Sequence, residues 1–125
     1  MNTILLIIVI AVVALAAFMM MKGGGKNSIS TQDLAANKDK YVIIDVREPA
    51  ELRNEGYIEG SKNIPLGSLD NNLRNIPKDK DVVVYCRSGG RSGAAAAKLA
   101  QLGYTNVKNM AGGIMKWKAD GLPVK

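Results

Sequence analysis

The sequence contains no histidine and only one cysteine, Cys86, among its 125 residues. Without histidine, neither a Ser-His-Asp triad nor a Cys-His nucleophile pair can be assembled, and Cys/His zinc sites are excluded as well. With one cysteine no intrachain disulfide can form, so packing alone must hold the fold. Aromatic residues are sparse, with one Phe, one Trp and four Tyr. Charge is missing from the first 21 residues, and Lys22 is the first charged side chain.

What fills that uncharged start is apolar. All 18 residues from Ile4 to Met21 are hydrophobic. As a helix they span about 27 Å, close to the ~30 Å hydrocarbon core of a bilayer. A secretory signal would begin with a basic segment and carry a shorter apolar run, so the pattern predicts a retained transmembrane anchor over residues 1–22. Gly23-Gly24-Gly25 opens a flexible linker over 23–28, and residues 29–125 have the size of one domain. Lys22 and Lys26 follow the apolar run and no basic side chain precedes it. The positive-inside rule then places a single-pass membrane protein with its folded domain on the cytoplasmic side.

The whole +6 formal charge belongs to the part after the anchor. Such an excess suits a small anionic substrate or a lipid surface. The basic residues are scattered, with no Lys/Arg block and no basic-aromatic interleaving, so no nucleic acid partner is expected. Asp45 and Glu48 are too isolated for a metal, and Met19-Met20-Met21 has no accompanying soft ligand. No metal and no cofactor are expected.

Hydrophobic patterning in the domain alternates strands with helices. Ser30-Thr31-Gln32-Asp33 has capping-box spacing and predicts a helix from Thr31 to about Asn37. Tyr41 to Val46 is a β-branched run suited to a buried parallel strand. Pro49 stands where a helix begins and Gly56 where it stops. Ile58 and Asn63-Ile64-Pro65 are expected to form a brief edge strand and its exit, Ser68 to cap a short helix through Leu73, and Asp81 to Tyr85 to be the strongest strand. An Ala-rich helix follows from Ser92 to Leu102, then a strand over Asn106 to Met110 and a helix over Ile114 to Ala119. This order predicts an α/β fold with a parallel sheet covered on both faces. Ligands bind beyond the carboxyl ends of such strands, where Asp45, Arg47 and Cys86 fall.

A lone cysteine is ordinarily a small buried hydrophobe. Cys86 instead ends a buried strand and is followed by Arg87, Ser88, Gly89, Gly90 and Arg91, then by a helix near Ser92. The two glycines let the chain curl so that successive backbone N–H groups converge on one point. Such a hollow binds anions, and the helix start reinforces it. Helix N-termini and neighbouring arginines lower a thiol pKa, so the sulfur ionises without a partner base. Asp45 is expected to hold Arg91 by an ion pair.

Four stretches also resemble a known family. They are Asp45-Val46-Arg47-Glu48-Pro49, Gly56 to Pro65, Cys86 to Ser92, and Gly112-Gly113-Ile114 with Trp117, Gly121, Leu122 and Pro123. Together, in this order, they resemble the rhodanese homology domain over nearly all of residues 29–125. The second stretch departs from the family pattern, with Tyr57 in place of the usual histidine and Ser61 in place of alanine. The resemblance implies a five-stranded parallel sheet and a Cys86 that takes sulfane sulfur from a small anionic donor such as thiosulfate. It also implies that the amides of residues 87–91 cradle the persulfide.

The expected activity is therefore sulfur transfer from a thiosulfate-like donor to a thiol or protein acceptor through a Cys86 persulfide. Arg87 and Arg91 hold the oxyanion end, and the loop N–H groups stabilise developing charge. Two other readings stand beside it. One is a membrane-tethered sulfur carrier or docking module without turnover. The other is a phosphatase or arsenate reductase relative. Those relatives carry one residue more between cysteine and arginine, whereas the four residues here make a tighter ring suited to a single sulfur.

Overall fold

The structure, a computed structural model, describes residues 27–125. The expected anchor over 1–22 and the linker up to Lys26 lie outside the described residues. Among the described residues no helix is long and apolar enough to cross a membrane.

Five short parallel strands form one sheet: β1 (Ser28–Ile29), β2 (Val42–Asp45), β3 (Lys62–Asn63), β4 (Val82–Tyr85) and β5 (Val107–Met110), in the order β1-β5-β4-β2-β3. The five-stranded parallel α/β architecture expected from the sequence is present. The central pair is β2 and β4, with Asp45 opposite Tyr85. Their side chains alternate between two apolar layers, as the period of two requires. Ile44, Val82, Val84 and Cys86 face one layer with Ala95, Leu99 and Tyr104. Ile43, Val83 and Tyr85 face the other with Leu34, Ile114 and Trp117. Burial on both faces explains why these strands read as unbroken apolar runs.

Four α-helices cover the sheet: α1 (Thr31–Ala36), α2 (Pro49–Glu55), α3 (Gly90–Gln101) and α4 (Gly113–Ala119). At the start of α1 the Ser30 hydroxyl accepts from the Asp33 amide. Helix α2 opens with Pro49 and a reciprocal cap between Glu48 and Glu51, and Gly56 ends it at a φ of 83°. The segment after β3 departs from expectation. Instead of one helix from Ser68, it forms 3₁₀ turns over Leu66–Ser68 and Asp70–Asn75 with a kink at Asn72. The strand expected near Asn63-Ile64-Pro65 is only Lys62–Asn63, although the Ile64 and Leu66 amides beyond it still donate to the Asp45 and Val46 carbonyls. β1 begins at Ser28, the last residue of the expected linker.

Candidate functional site

Cys86 follows directly on β4, and the chain then curls into α3, which starts at Gly90, two residues earlier than the spacing indicated. Gly89 caps that helix at a φ of 112°, a left-handed conformation that a side chain would strain. Cys86 is 1% exposed, and its sulfur lies at the base of the curl. The Gly89 N–H donates to Sγ at 3.1 Å and the Ser92 hydroxyl lies 3.3 Å from it. Burial pushes the Cys86 thiol up, but the Ser92 side chain and the amides of Ser92, Gly89 and Ser88 outweigh it, so the thiol sits below its ordinary value. Hydrogen bonds to the charged form are what favour ionisation here.

The ring keeps its amides inward because its carbonyls are held from outside. The Ile114 N–H donates to the Cys86 carbonyl at 2.9 Å and the Met115 N–H to the Arg87 carbonyl at 3.1 Å. In a planar trans peptide the C=O and the next N–H point opposite ways, so the Arg87 and Ser88 amides are turned to the other side. Gly93 N–H and Asn109 Nδ2 likewise hold the Gly89 carbonyl at 2.9 and 3.1 Å. The first turn of α4 can approach this closely only because Gly113 is glycine. A Cβ there would overlap the Arg87 carbonyl and stand 2.6 Å from that of Cys86. The Gly112-Gly113-Ile114 stretch is thereby a clamp on the loop.

The arginines are placed differently from expectation. Asp45 does not reach Arg91. Its carboxylate instead takes the Arg47 guanidinium two residues along, with Nε at 2.9 Å and Nη2 at 2.6 Å, both side chains fully buried. The turn after β2 folds Arg47 back onto Asp45, and Nη2 also donates to the Gly56 carbonyl. Burial works against the Arg47 charge, but the hydrogen bond and charge of Asp45 raise its pKa overall. Arg47 Nη1 has no hydrogen-bond partner among the described residues and lies 3.8 Å from Glu55.

Arg91 is held by Glu51 of α2 and Arg87 by Glu55 one turn later. The Arg91 hydrogen bonds hold the Glu51 carboxyl at about 2. Arg87 is anchored through Nε at 3.2 Å, which leaves the terminal Nη groups of a half-exposed side chain (53%) for an anion. Ser88, Gly90 and Arg87 are exposed at the rim of the loop, while Ser92 is buried behind the sulfur.

Ser61, where the family pattern has alanine, bonds the Ile58 carbonyl at 2.7 Å and shares a hydrogen bond with the buried Tyr85 hydroxyl. Burial pushes the Tyr85 phenol up, so it stays neutral. Tyr57 exchanges backbone bonds with Lys125 and contributes no hydrogen-bonded group to the sulfur. Glu51, Glu55 and Asn109 escaped the sequence reasoning. For Asn109 one signal was present: a residue depleted in strands standing inside the last strand.

A buried cysteine sulfur in a ring of amides at the carboxyl edge of a parallel sheet defines the class: an α/β domain with a strand-loop-helix site around one thiol. A family profile described as a rhodanese-like domain matches residues 30–120. A sulfurtransferase of Allochromatium vinosum is 41% identical over 101 residues, covering 78% of this chain and 94% of that protein. A putative mitochondrial thiosulfate sulfurtransferase of Schizosaccharomyces pombe is 38% identical over 89 residues, covering 61% and 62%. A rhodanese-related protein of Thermoplasma volcanium superposes with a TM-score of 0.75 at 41% identity, covering 79% of this chain and 97% of that one. The chain belongs to the rhodanese-like domain family.

Proposed function

We propose that the protein is a sulfurtransferase that carries sulfane sulfur on Cys86. The observation that carries this reading is the sulfur itself, the one thiol of the chain, with Gly89 N–H and the Ser92 hydroxyl at 3.1 and 3.3 Å and no base required. In the loading step the Cys86 thiolate attacks the outer sulfur of thiosulfate. The S–S bond of the donor breaks, sulfite leaves with the electron pair, and Cys86 becomes a persulfide anion. In the unloading step a thiol or protein acceptor, or cyanide in an assay, takes the outer sulfur and the thiolate returns. The amides stabilise the charge as it moves to the outer sulfur. Arg87, through its Nη groups, receives the departing oxyanion, and Arg91 acts as a fixed positive charge secured by Glu51.

Support for a thiosulfate-like donor comes from the excess positive charge, the half-exposed Arg87 and the name of the Schizosaccharomyces relative. The four residues between Cys86 and Arg91 argue for one sulfur as cargo over a tetrahedral phosphate. The apolar run from Ile4 to Met21 supports a single-pass anchor, and Lys22 and Lys26 support a domain on the cytoplasmic side. Mass spectrometry of thiosulfate-treated protein is the test of the sulfur step. A gain of one sulfur that disappears with cyanide and is absent in Cys86→Ala is expected; intact Cys86 that never gains mass sinks the reading. Retention of the full chain in the membrane fraction after carbonate washing, and release on deletion of residues 1–26, tests the anchor.

A further inference from the structure

Asn109 sits on β5, outside the loop, yet its amide meets the loop twice. Nδ2 donates to the Gly89 carbonyl at 3.1 Å, and Oδ1 lies 2.6 Å from the Ser92 hydroxyl. The first bond fixes the second. A carbonyl oxygen only accepts, so Nδ2 must face Gly89 and Oδ1 must face Ser92. Ser92 is fully buried, and the amide packs beside Gly93, where a Cβ would stand 3.4 Å from Nδ2.

Ser92 therefore has two acceptors, Asn109 Oδ1 and Cys86 Sγ, and a hydroxyl has one proton. When the sulfur is a neutral thiol, its S–H faces a Ser92 lone pair and the Ser92 proton points at Asn109. When the sulfur is a thiolate, the Ser92 proton turns to it and the bond to Asn109 is given up. When Cys86 carries a second sulfur, the negative charge moves to the outer atom. The inner sulfur is then uncharged, and the Ser92 proton returns to Asn109. The hydroxyl only rotates; no proton is gained or lost by Ser92.

The geometry points to Asn109 as a positioning residue that, through the Ser92 proton, disfavours the bare thiolate and biases the site towards its sulfur-loaded form. The Gly89 carbonyl is also held by the Gly93 N–H, so the contribution peculiar to Asn109 is the one made through Ser92. The inference rests on the persulfide reading for its consequence, but the competition for the proton is a property of the resting site.

The test is the pH dependence of Cys86 alkylation by iodoacetamide in the full chain, together with the loaded fraction at fixed thiosulfate-to-sulfite ratios. The other charged groups around the site stay constant across the variants: Arg87, Arg91 of α3, Glu51 and Glu55 of α2, Asp45 and Arg47 after β2, Lys108 of β5, and Lys116 of α4. Asn109→Ala is expected to move the alkylation midpoint down by about half a unit to one unit and to lower the loaded fraction about three- to tenfold. Asn109→Asp gives up the Nδ2 bond to the Gly89 carbonyl in wild-type and variant backgrounds alike, but it holds the Ser92 proton more tightly and adds charge, so its midpoint moves up. With Ser92→Ala in the background, the downward shift of Asn109→Ala disappears. An unchanged or raised midpoint in Asn109→Ala overturns the inference, as does a shift that survives in Ser92→Ala. If Asn109→Ala does not fold, the comparison of Asn109→Asp with and without Ser92 decides: its upward shift must be smaller without Ser92, and an equal shift overturns the inference. Wild-type protein that alkylates but never loads removes the persulfide reading and leaves these midpoints as the test of Asn109.

Discussion

Glu51 and Arg91, 40 residues apart in the chain, meet in a two-pronged ion pair, Nη1 to Oε1 at 2.6 Å and Nη2 to Oε2 at 2.8 Å. One turn along each helix or loop, Glu55 meets Arg87. Helix α2, which buries no side chain of its own, is thereby stitched to the rim of the sulfur loop by charge. The first prediction concerns acid. Arg91 holds the Glu51 carboxyl at about 2, against an ordinary 4.5. A lowered carboxylate pKa contributes stability above the ordinary value and loses it as pH falls towards the lowered one. The thermal midpoint of wild type should therefore fall between about pH 4.5 and 2 more steeply than that of Glu51→Gln. The pair is partly exposed, so the difference should also shrink in high salt. Parallel slopes in differential scanning calorimetry count against it.

The second prediction is the state of the thiol. Iodoacetamide should modify Cys86 with a midpoint below the ordinary thiol value of about 8.5. Ser92→Ala removes a donor to the sulfur and should raise that midpoint by about half a unit to one unit. Because the folded thiol ionises below the unfolded one, its contribution to stability is present above the unfolded value and is lost as pH falls through the folded one. Urea unfolding of wild type and Cys86→Ala across this range reads the difference.

The buried Asp45–Arg47 pair supplies the third. Removing either partner leaves the other charged, desolvated and alone, at a cost of about 3–5 kcal/mol. Asp45→Ala should destabilise the domain by this much in urea unfolding, and replacing both residues should cost less than the sum of the single changes. Additive losses would show that the two side chains do not act as a pair.

Gly113→Ala is the fourth. Its φ of 62° and the carbonyls of Arg87 and Cys86 leave no place for a methyl group. The change should cost about 1–3 kcal/mol and slow sulfur loading more than it lowers stability, because the first turn of α4 fixes the loop. Gly60→Ala is the comparison, since it shares a positive φ of 88° but nothing lies within 4 Å of its Cβ position. Stopped-flow loading that is equal in the two variants would deny the clamp.

Strands buried on both faces announce themselves as apolar runs, which is why β2 and β4 were legible and placed Cys86 correctly. The curl after Cys86 was legible because two adjacent glycines between a strand and a helix mark a tight turn. β1 was not, since two residues, Ser28 and Ile29, carry no periodicity. The partners of the arginines were hidden for a different reason. Glu51 and Glu55 look like ordinary solvent-facing charges of a short helix, and their pairing depends on where that helix docks. Asp45 was expected on Arg91. Arg47, two residues away, has the shorter path and takes the carboxylate first. Asn109 acts through a register between β5 and the loop that only the folded sheet defines.

The clamp on the loop also bears on when the site around Cys86 forms. Its parts come from residues 45–55, 86–93 and 109–115, so the hollow exists only once the first helix after β2, the central strands and the last strand have all docked. Until then Cys86 is an exposed thiol on an open chain, with the ordinary pKa of about 8.5. A nascent or partly unfolded molecule thus offers an exposed thiol without the converging amides, and the hollow closes around it in the same event that completes the sheet.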